Sequence, residues 1–512
     1  MKKTWMWGLA GLLLAGCSGT LVEQAAYQKN AVVSLSNAGF ESGLNGWSTS
    51  GSSGAAFTEA GGRSGSNRLS HWSNSPYQVA TYRTVTGLAN GWYTLKAWVK
   101  SGGGQNTAFI SLKGCGNSNE YRAYLPTVTD GWVNLAVSAY VTGGSCTISL
   151  YSDAKAGNWA NFDDVELSTG QSKLQITGAD ISSLPKSEAK GGVYRNSAGT
   201  VGDAVTLLKN GGVNYARLKV WVNPADGYNN KARVVALAKR IKAAGMKLLV
   251  DFHYSDTWAD PGAQTKPAAW ASYNLSQLNT AVYNHTLDVC NALKAQGTTP
   301  DMVQVGNEIN GGMLWPEGST SNWSQLAGLL KSGINAVKAC SSTTRIMLHL
   351  AKGGDNAGAR WWFDQAVANG VPFDVIGLSH YTYWHGSLAQ LQANLYDLSS
   401  RYNKDVLVAE TAYPFTLSSD DSLENIINTS AELTAGYAAT PTDQARMLRD
   451  TMTVVRAVPR ALGVFYWEAP WTAVTGNGWD PTDPNSGNGW DNQALFDFSD
   501  RELPALREFL NP

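Results

Sequence analysis

The sequence carries almost no net charge: 39 Lys and Arg stand against 40 Asp and Glu, leaving a formal balance of -1 at pH 7. That excludes the basic footprint of a nucleic-acid partner and any surface that seeks a polyanion, so an uncharged partner is expected. Histidine is scarce, at six, and cysteine at five. No CxxC pair or clustered His spacing occurs, which gives no sign of a transition-metal centre. The apolar run near the start, through Leu12-Leu13-Leu14, is shorter than the ~20 residues that span a bilayer.

That run follows Lys2 and Lys3 and ends in Ala15-Gly16-Cys17, the layout of an export signal over 1–17. Leu14-Ala15-Gly16-Cys17 resembles the bacterial lipobox, in which the cysteine is acylated and becomes the mature N-terminus. Ser18 is similar to an outer-membrane sorting signal. The resemblance implies an exported bacterial lipoprotein, held to the membrane at the outer membrane or cell surface by an N-terminal lipid anchor. Beyond Cys17 the cysteines fall two and two, Cys115 and Cys146, then Cys290 and Cys340. An oxidising compartment permits the pairs Cys115 with Cys146 and Cys290 with Cys340. Four cysteines allow three connectivities, and two buried free thiols in the second part are a further reading.

At 512 residues the chain exceeds one ordinary domain, and its composition divides it in two. Over 32–167 it is rich in Ser, Gly, Thr and Asn, with alternating runs such as Tyr93-Thr94-Leu95-Lys96-Ala97-Trp98-Val99. Period-two strands between turn clusters predict an antiparallel β-sandwich of the jelly-roll kind. A polar stretch over 168–173 reads as a linker. From 174 to 512 short apolar strands alternate with amphipathic helices. Strands are expected at 174–179, 214–220, 247–253, 302–307, 345–350, 373–379, 406–410 and 463–467. Eight strand-then-helix units predict an α/β fold, the (β/α)8 or TIM barrel, whose active sites lie at the C-terminal strand ends.

Those strand ends carry the candidate chemistry. Asp251-Phe252-His253-Tyr254 closes the third strand, Gly306-Asn307-Glu308 the fourth, Ser379-His380-Tyr381 the sixth, Ala409-Glu410-Thr411 the seventh and Tyr466-Trp467-Glu468 the eighth. Any one charged group there reads equally as a structural ion pair; several at one mouth predict a site. Strands four and seven face each other, so Glu308 and Glu410 can flank one bond as the two carboxylates of a retaining glycosidase, about 5–5.5 Å apart. Asn307 is expected to hydrogen-bond a sugar hydroxyl, and Glu468 is the rival carboxylate. The 20 Trp against 12 Phe suit the C–H faces of sugar rings, although Trp also fills cores.

The second part resembles glycoside hydrolase family 53, the arabinogalactan endo-β-1,4-galactanases. The resemblance rests on Gly178-Ala179-Asp180-Ile181-Ser182, Ala216-Arg217-Leu218-Lys219-Val220-Trp221, Asp251 to Pro261, Val305-Gly306-Asn307-Glu308-Ile309, Leu314-Trp315-Pro316-Glu317-Gly318, Tyr383-Trp384-His385-Gly386, Ala409-Glu410-Thr411-Ala412-Tyr413-Pro414 and Trp490 to Phe496. It implies Glu308 as acid/base and Glu410 as nucleophile, with no cofactor required for catalysis. It implies a site lined by Arg217, Asp251, His253, Asn307 and Tyr381, with Trp221, Trp384 and Trp467 as stacking surfaces. The substrate implied is β-1,4-galactan; a mannanase or cellulase of the same clan, or a non-catalytic glycan-binding lipoprotein, are the alternatives. Two departures stand out. His380 occupies a position where the family often has Tyr, and 415–428 lacks the calcium-ligand pattern of some bacterial members, although Ser419, Asp420 and Asp421 could ligate a hard cation.

The first part is similar to carbohydrate-binding β-sandwiches through Asn37-Ala38-Gly39-Phe40-Glu41 and Asn161-Phe162-Asp163-Asp164-Val165, with a family 61 module the nearest fit. In such sandwiches an early Glu and a late Asp hold a structural calcium, which makes Glu41 and Asp164 its candidate ligands. His71, Trp72, Tyr77, Tyr82 and Arg122 are the candidate sugar-binding residues, because they stand out from a small-residue background. A monomer is expected.

Overall fold

The computed structural model describes residues 30–511, and the export signal with Cys17 and Ser18 lies outside the described residues. The first part is two antiparallel sheets packed face to face. One runs in the order Ala56–Ala60, Asn67–Trp72, Trp159–Thr169, Gly91–Ser101, Val128–Val141, with the short Val32–Val33 also paired to Trp159–Thr169. The other runs Ser48–Gly51, Tyr77–Thr86, Ser145–Ala154, Thr107–Lys113, Glu120–Tyr124. Alternation decides what goes inside: Leu95, Ala97 and Val99 of one sheet and Ile110, Leu112, Ile148 and Leu150 of the other are fully buried between them. Each Val, Leu or Ile among them contributes roughly 1.5–3 kcal/mol by leaving water. Cys115 is joined to Cys146 at one edge of this core.

The last sandwich strand runs two residues into the expected linker. Ser168 and Thr169 pair with Thr94 and Tyr93, because small hydroxyl residues serve the polar side of a strand as well as they serve a loop.

Eight parallel strands close the second part into a barrel: Ile176–Asp180, Tyr215–Val220, Lys247–Phe252, Met302–Val305, Arg345–Leu350, Val375–Ser379, Asp405–Thr411 and Ala461–Tyr466, the first hydrogen-bonded to the last. Their apolar runs are continuous because both faces are covered, by helices outside and by the barrel filling inside. The helices follow their local signals. Asn230 accepts from the Arg233 N–H to start Lys231–Ala243, whose Val234, Leu237, Ala238 and Ile241 face the strands. Ser387 and Gln390 form a capping box on Leu388–Tyr402. Cys290 and Cys340, each on the buried face near the C-terminal end of its helix, are disulfide-bonded.

Inside the barrel the period of two separates two layers. Tyr215, Leu249, Met302, Met347 and Val375 fill the lower layer with apolar bulk. Two residues further along the same strands, the inward face carries Arg217, Asp251, Gln304 and His349, all buried. The polar layer is thus stacked on an apolar plug and opens only toward the C-terminal strand ends. The sandwich docks on the barrel's flank, where Gln392 accepts from the Tyr124 N–H at 2.8 Å and donates to its carbonyl at 2.5 Å. Among the described residues no helix is long and apolar enough to cross a membrane.

Candidate active site

The polar layer is organised by one guanidinium. Arg217 is 1% exposed and donates to Asp180 at 2.9 Å, to Asp251 at 2.8 Å and to Asn307 Oδ1 at 2.8 Å, while its Nη2 lies 2.8 Å from Glu410 Oε1. These partners end strands one, three, four and seven. A guanidinium stays charged when buried, so it offsets carboxylates that would otherwise be costly to bury. The surrounding carboxylates push Arg217 still further toward its charged form.

Above it stand Glu308 and Glu410. An oxygen of each, together with a ring nitrogen of His349, all lie within 4.8 Å of one another. Glu308 adopts a left-handed φ of 46°, two residues after Gly306 at 84°, a conformation costing roughly 1–3 kcal/mol for a residue with a Cβ. That turn lifts its side chain out of the strand's inward register and into the mouth. Burial raises the Glu308 carboxyl to about 7, against the opposing hydrogen bond from Ser379 at 2.5 Å and the more distant Arg217. Burial also raises Glu410, but Arg217 touches it directly and the Tyr381 hydroxyl donates to its Oε2 at 3.0 Å. Glu410 has a guanidinium and one hydroxyl donor beside it where Glu308 has one neutral hydroxyl, and these contacts favour the charge of the pair on Glu410. Glu468, the rival carboxylate, is committed elsewhere: Lys219 pairs with one oxygen and the Ser183 N–H donates to the other at 3.0 Å.

A cleft of about 600 Å³ opens over the pair. Arg217, His253, Asn307, Tyr381, Trp384 and Trp467 line it, with Glu308 and Glu410 at its floor. Two expectations need correction. Trp221 is 2% exposed and is no stacking surface; its indole N–H donates to His253 Nδ1 at 3.2 Å, and its edge meets Trp258 at 5.4 Å. Asp251 is fully buried and sits beneath the cleft, between Arg217 and His253 Nε2 at 3.1 Å. Both support the wall behind the groups that face the cavity.

The walls hold aromatic residues that sequence reasoning gave no role. Trp258, Trp471, Trp479 and Trp490 line the cleft beside Trp467, with Trp467 and Trp490 ring centres 4.7 Å apart and Trp258 stacked on Trp471 at 5.8 Å. Trp467, Trp471, Trp479 and Trp490 all follow the eighth strand, and that density of Trp in one loop was a signal available in the sequence. His380, at the departure from the family pattern, is fully buried and donates its main-chain N–H to the Glu410 carbonyl at 2.8 Å. Asp421 accepts from the Leu423 and Asn488 main-chain N–H groups, and Asp420 receives no such role.

In the sandwich the five candidate sugar-binding residues do not share a face. His71 is fully buried, bonded to Ser152 and Thr81 at 2.9 Å each, and Tyr77 is 4% exposed with its hydroxyl on the His71 and Asn158 carbonyls. Both are core residues, since a ring whose polar atoms find partners inside costs little to bury. Tyr82 and Arg122 lie on one cross-strand row, Ser48, Tyr82, Ser149, Ser111, Arg122, of the five-stranded sheet. Trp72 is 42% exposed but belongs to the other sheet. The candidate calcium ligands do not fit a cation. Both Glu41 oxygens accept main-chain N–H groups of Ser66 and Asn67, and Asp164 accepts from Arg63 at 2.7 Å and Ser64 at 2.5 Å. Donors and a guanidinium occupy the space that converging oxygens would need.

Comparison with known proteins agrees with the barrel. The model of glycosyl hydrolase family 53 matches residues 176–509. An arabinogalactan endo-beta-1,4-galactanase of Thermothelomyces thermophilus is 35% identical over 66% of this chain and 99% of its own length. An endo-beta-1,4-galactanase of Bacillus subtilis is also 35% identical, over 66% of this chain and 86% of its own. Among solved structures the family 53 catalytic domain of Ignisphaera aggregans is 41% identical, covers 65% of this chain and 95% of its own, and superposes with a TM-score of 0.63. With an eight-stranded barrel, two glutamates at its mouth and a family match across nearly all of that barrel, the chain belongs to glycosyl hydrolase family 53.

Proposed function

We propose that this glycoside hydrolase is a retaining endo-β-1,4-galactanase that cuts internal bonds of pectic galactan, the type I arabinogalactan, with Glu410 as nucleophile and Glu308 as acid/base. The observation that carries the reading is the separation of the two carboxylates, within 4.8 Å, which leaves no room for the water that an inverting pair holds between carboxyls about 6.5–9.5 Å apart. In the first half Glu410 attacks the anomeric carbon, the glycosidic C–O bond breaks, and Glu308 gives its proton to the departing oxygen. In the second half Glu308 takes a proton from water, whose oxygen displaces Glu410 from the same carbon. Side chains supply both nucleophile and proton, so these steps call on no cofactor. Asn307 Oδ1 is held by Arg217 and its Nδ2 donates to the Ala259 carbonyl at 2.7 Å, leaving a second N–H for a sugar hydroxyl.

The galactan assignment draws on the named relatives and on a Trp-lined open cleft that suits a chain passing through. The sandwich, in this reading a family 61-like galactan-binding module over 32–167, keeps the enzyme on the polymer. The lipid anchor at Cys17 keeps a monomeric enzyme at the outer membrane or cell surface. Unbranched galactan incubated with the purified protein should yield a broad set of oligomers early, whereas mannan and glucan should remain intact. Glu410→Gln should lower turnover by at least about 10⁴-fold while its circular dichroism spectrum stays that of the folded wild type. Single-sugar release from chain ends, or turnover surviving in that variant, would refute the proposal.

A further inference from the structure

Ser379 and His349 are buried, polar and unused by the chemistry described above. Ser379 ends the sixth strand and His349 stands on the fifth, both facing inward. The Ser379 hydroxyl has a single hydrogen, and Glu308 Oε1 is 2.5 Å away. Once that hydrogen points at the carboxylate, the Ser379 oxygen must accept from its other neighbour, His349 Nε2 at 2.9 Å. Nε2 then carries the imidazole hydrogen and Nδ1 is the acceptor. The surroundings of Nδ1 agree, with the Gln304 amide nitrogen at 3.0 Å and the Glu308 main-chain N–H at 3.4 Å. Asn307 Oδ1 is also 3.0 Å from Nδ1, but its two lone pairs already serve Arg217 and Gln304.

Gln304 is itself oriented, since its carbonyl accepts from Arg217 Nε and Nη2, at 3.2 Å each. Its amide nitrogen has two hydrogens and three neighbours, Asn307 Oδ1 at 2.9 Å, His349 Nδ1 at 3.0 Å and the Gly306 carbonyl at 3.1 Å; with the two shorter contacts made, N–H and O–H groups point one way from Arg217 through Gln304, His349 and Ser379 to Glu308. The same Arg217 is ion-paired with Glu410 at 2.8 Å, so the path runs from the guanidinium that holds one carboxylate to the hydroxyl that holds the other. Burial keeps His349 neutral, far below its ordinary range, with Arg217, His253 and His385 pressing the same way. The path's polarity is thus constant across the working pH range.

We propose that Ser379 and His349 are positioning residues of the acid/base: their one-way donor path holds the Glu308 carboxyl toward the cleft and stabilises its charged form, which the second half-reaction needs. This rests on the reading of Glu308 as acid/base. The other groups that face Glu308 are Arg217, which also favours the charged form, and Asp251, Asp260 and Glu410, which oppose it. Ser379 is the neighbour that touches it. Without Ser379 the carboxyl should hold its proton to higher pH, giving a stronger grip on the proton in the first half and a weaker base in the second.

The test is the pH profile of kcat/KM on unbranched galactan, with kcat and KM separated at each pH, for Ser379→Ala, Ser379→Thr, His349→Leu and Glu308→Gln. Ser379→Ala should move the alkaline limb upward by about one pH unit, the scale of a hydrogen bond to a charged group. Its kcat should fall about tenfold and its KM by less than about twofold. Ser379→Thr, which keeps the hydroxyl, should restore the wild-type limb, and His349→Leu should shift it the same way by less. A limb that stays in place in both Ser379→Ala and His349→Leu, with rates merely scaled down, would overturn the proposal and leave the acid/base reading intact. Galactan hydrolysis by Glu308→Gln at the wild-type rate would overturn both.

Discussion

Glu308 shows how one residue can couple chemistry to stability. Its folded carboxyl sits at about 7, above its ordinary 4.5, so folding disfavours the charged form. A raised carboxyl pKa means that the folded state binds the proton more tightly than the unfolded chain. Stability is then fullest below about 4.5, falls as pH rises through the window between 4.5 and 7, and levels off above it. Glu308→Gln removes that loss. The variant should match the wild type near pH 4.5 and exceed it by about 1–3 kcal/mol at pH 8, read from urea unfolding at both pH values; a variant no more stable at pH 8 than the wild type would contradict the raised value. That Glu308 and Glu410 meet at one mouth was legible in the sequence because several charged strand ends together point to a site, where any one alone reads equally as an ion pair. Which side of the wall a residue faces was not legible: Asp251 and Trp221 end strands as His253 does, yet they lie behind the cleft. His71 and Tyr77 misled for a related reason, since polarity suggests a surface until partners such as Ser152 and Thr81 are seen inside.

At the scale of elements, the apolar period carried most of the information. The fifth strand, Arg345–Leu350, has the bounds the alternation predicts, and the others differ by one to a few residues at their ends. The inward row of Gln304 and His349 was also present in that period, two residues beyond Met302 and Met347, but no strand-end position drew attention to it. Strand pairing and helix docking depend on contacts distant in sequence, as in the Cys290–Cys340 bond, which spans 50 residues and ties the helices Leu275–Ala295 and Trp323–Cys340. Removing both sulfurs with Cys290→Ala and Cys340→Ala should cost about 2–4 kcal/mol in denaturant unfolding and leave KM on galactan unchanged. An unchanged midpoint would show that packing of the two helices already holds the loop closed.

The whole molecule joins a cleft-bearing barrel to a sandwich through direct contacts, with Tyr124 bonded both ways to Gln392 and Ala457 of the barrel packed into the sandwich core. Composition separated the two bodies but said nothing of this docking, which depends on a few side chains scattered along the chain. At the floor of the cleft two glutamates from opposite walls meet beside Arg217. The most direct measurement is to incubate the intact protein with a 2-fluoro galactoside bearing an activated leaving group, then map the labelled peptide by mass spectrometry. The account predicts one covalently bound sugar, carried by Glu410, with the label lost in Glu410→Gln. A stable adduct on Glu468, or rapid turnover through a product of inverted anomeric configuration with no adduct, would contradict it.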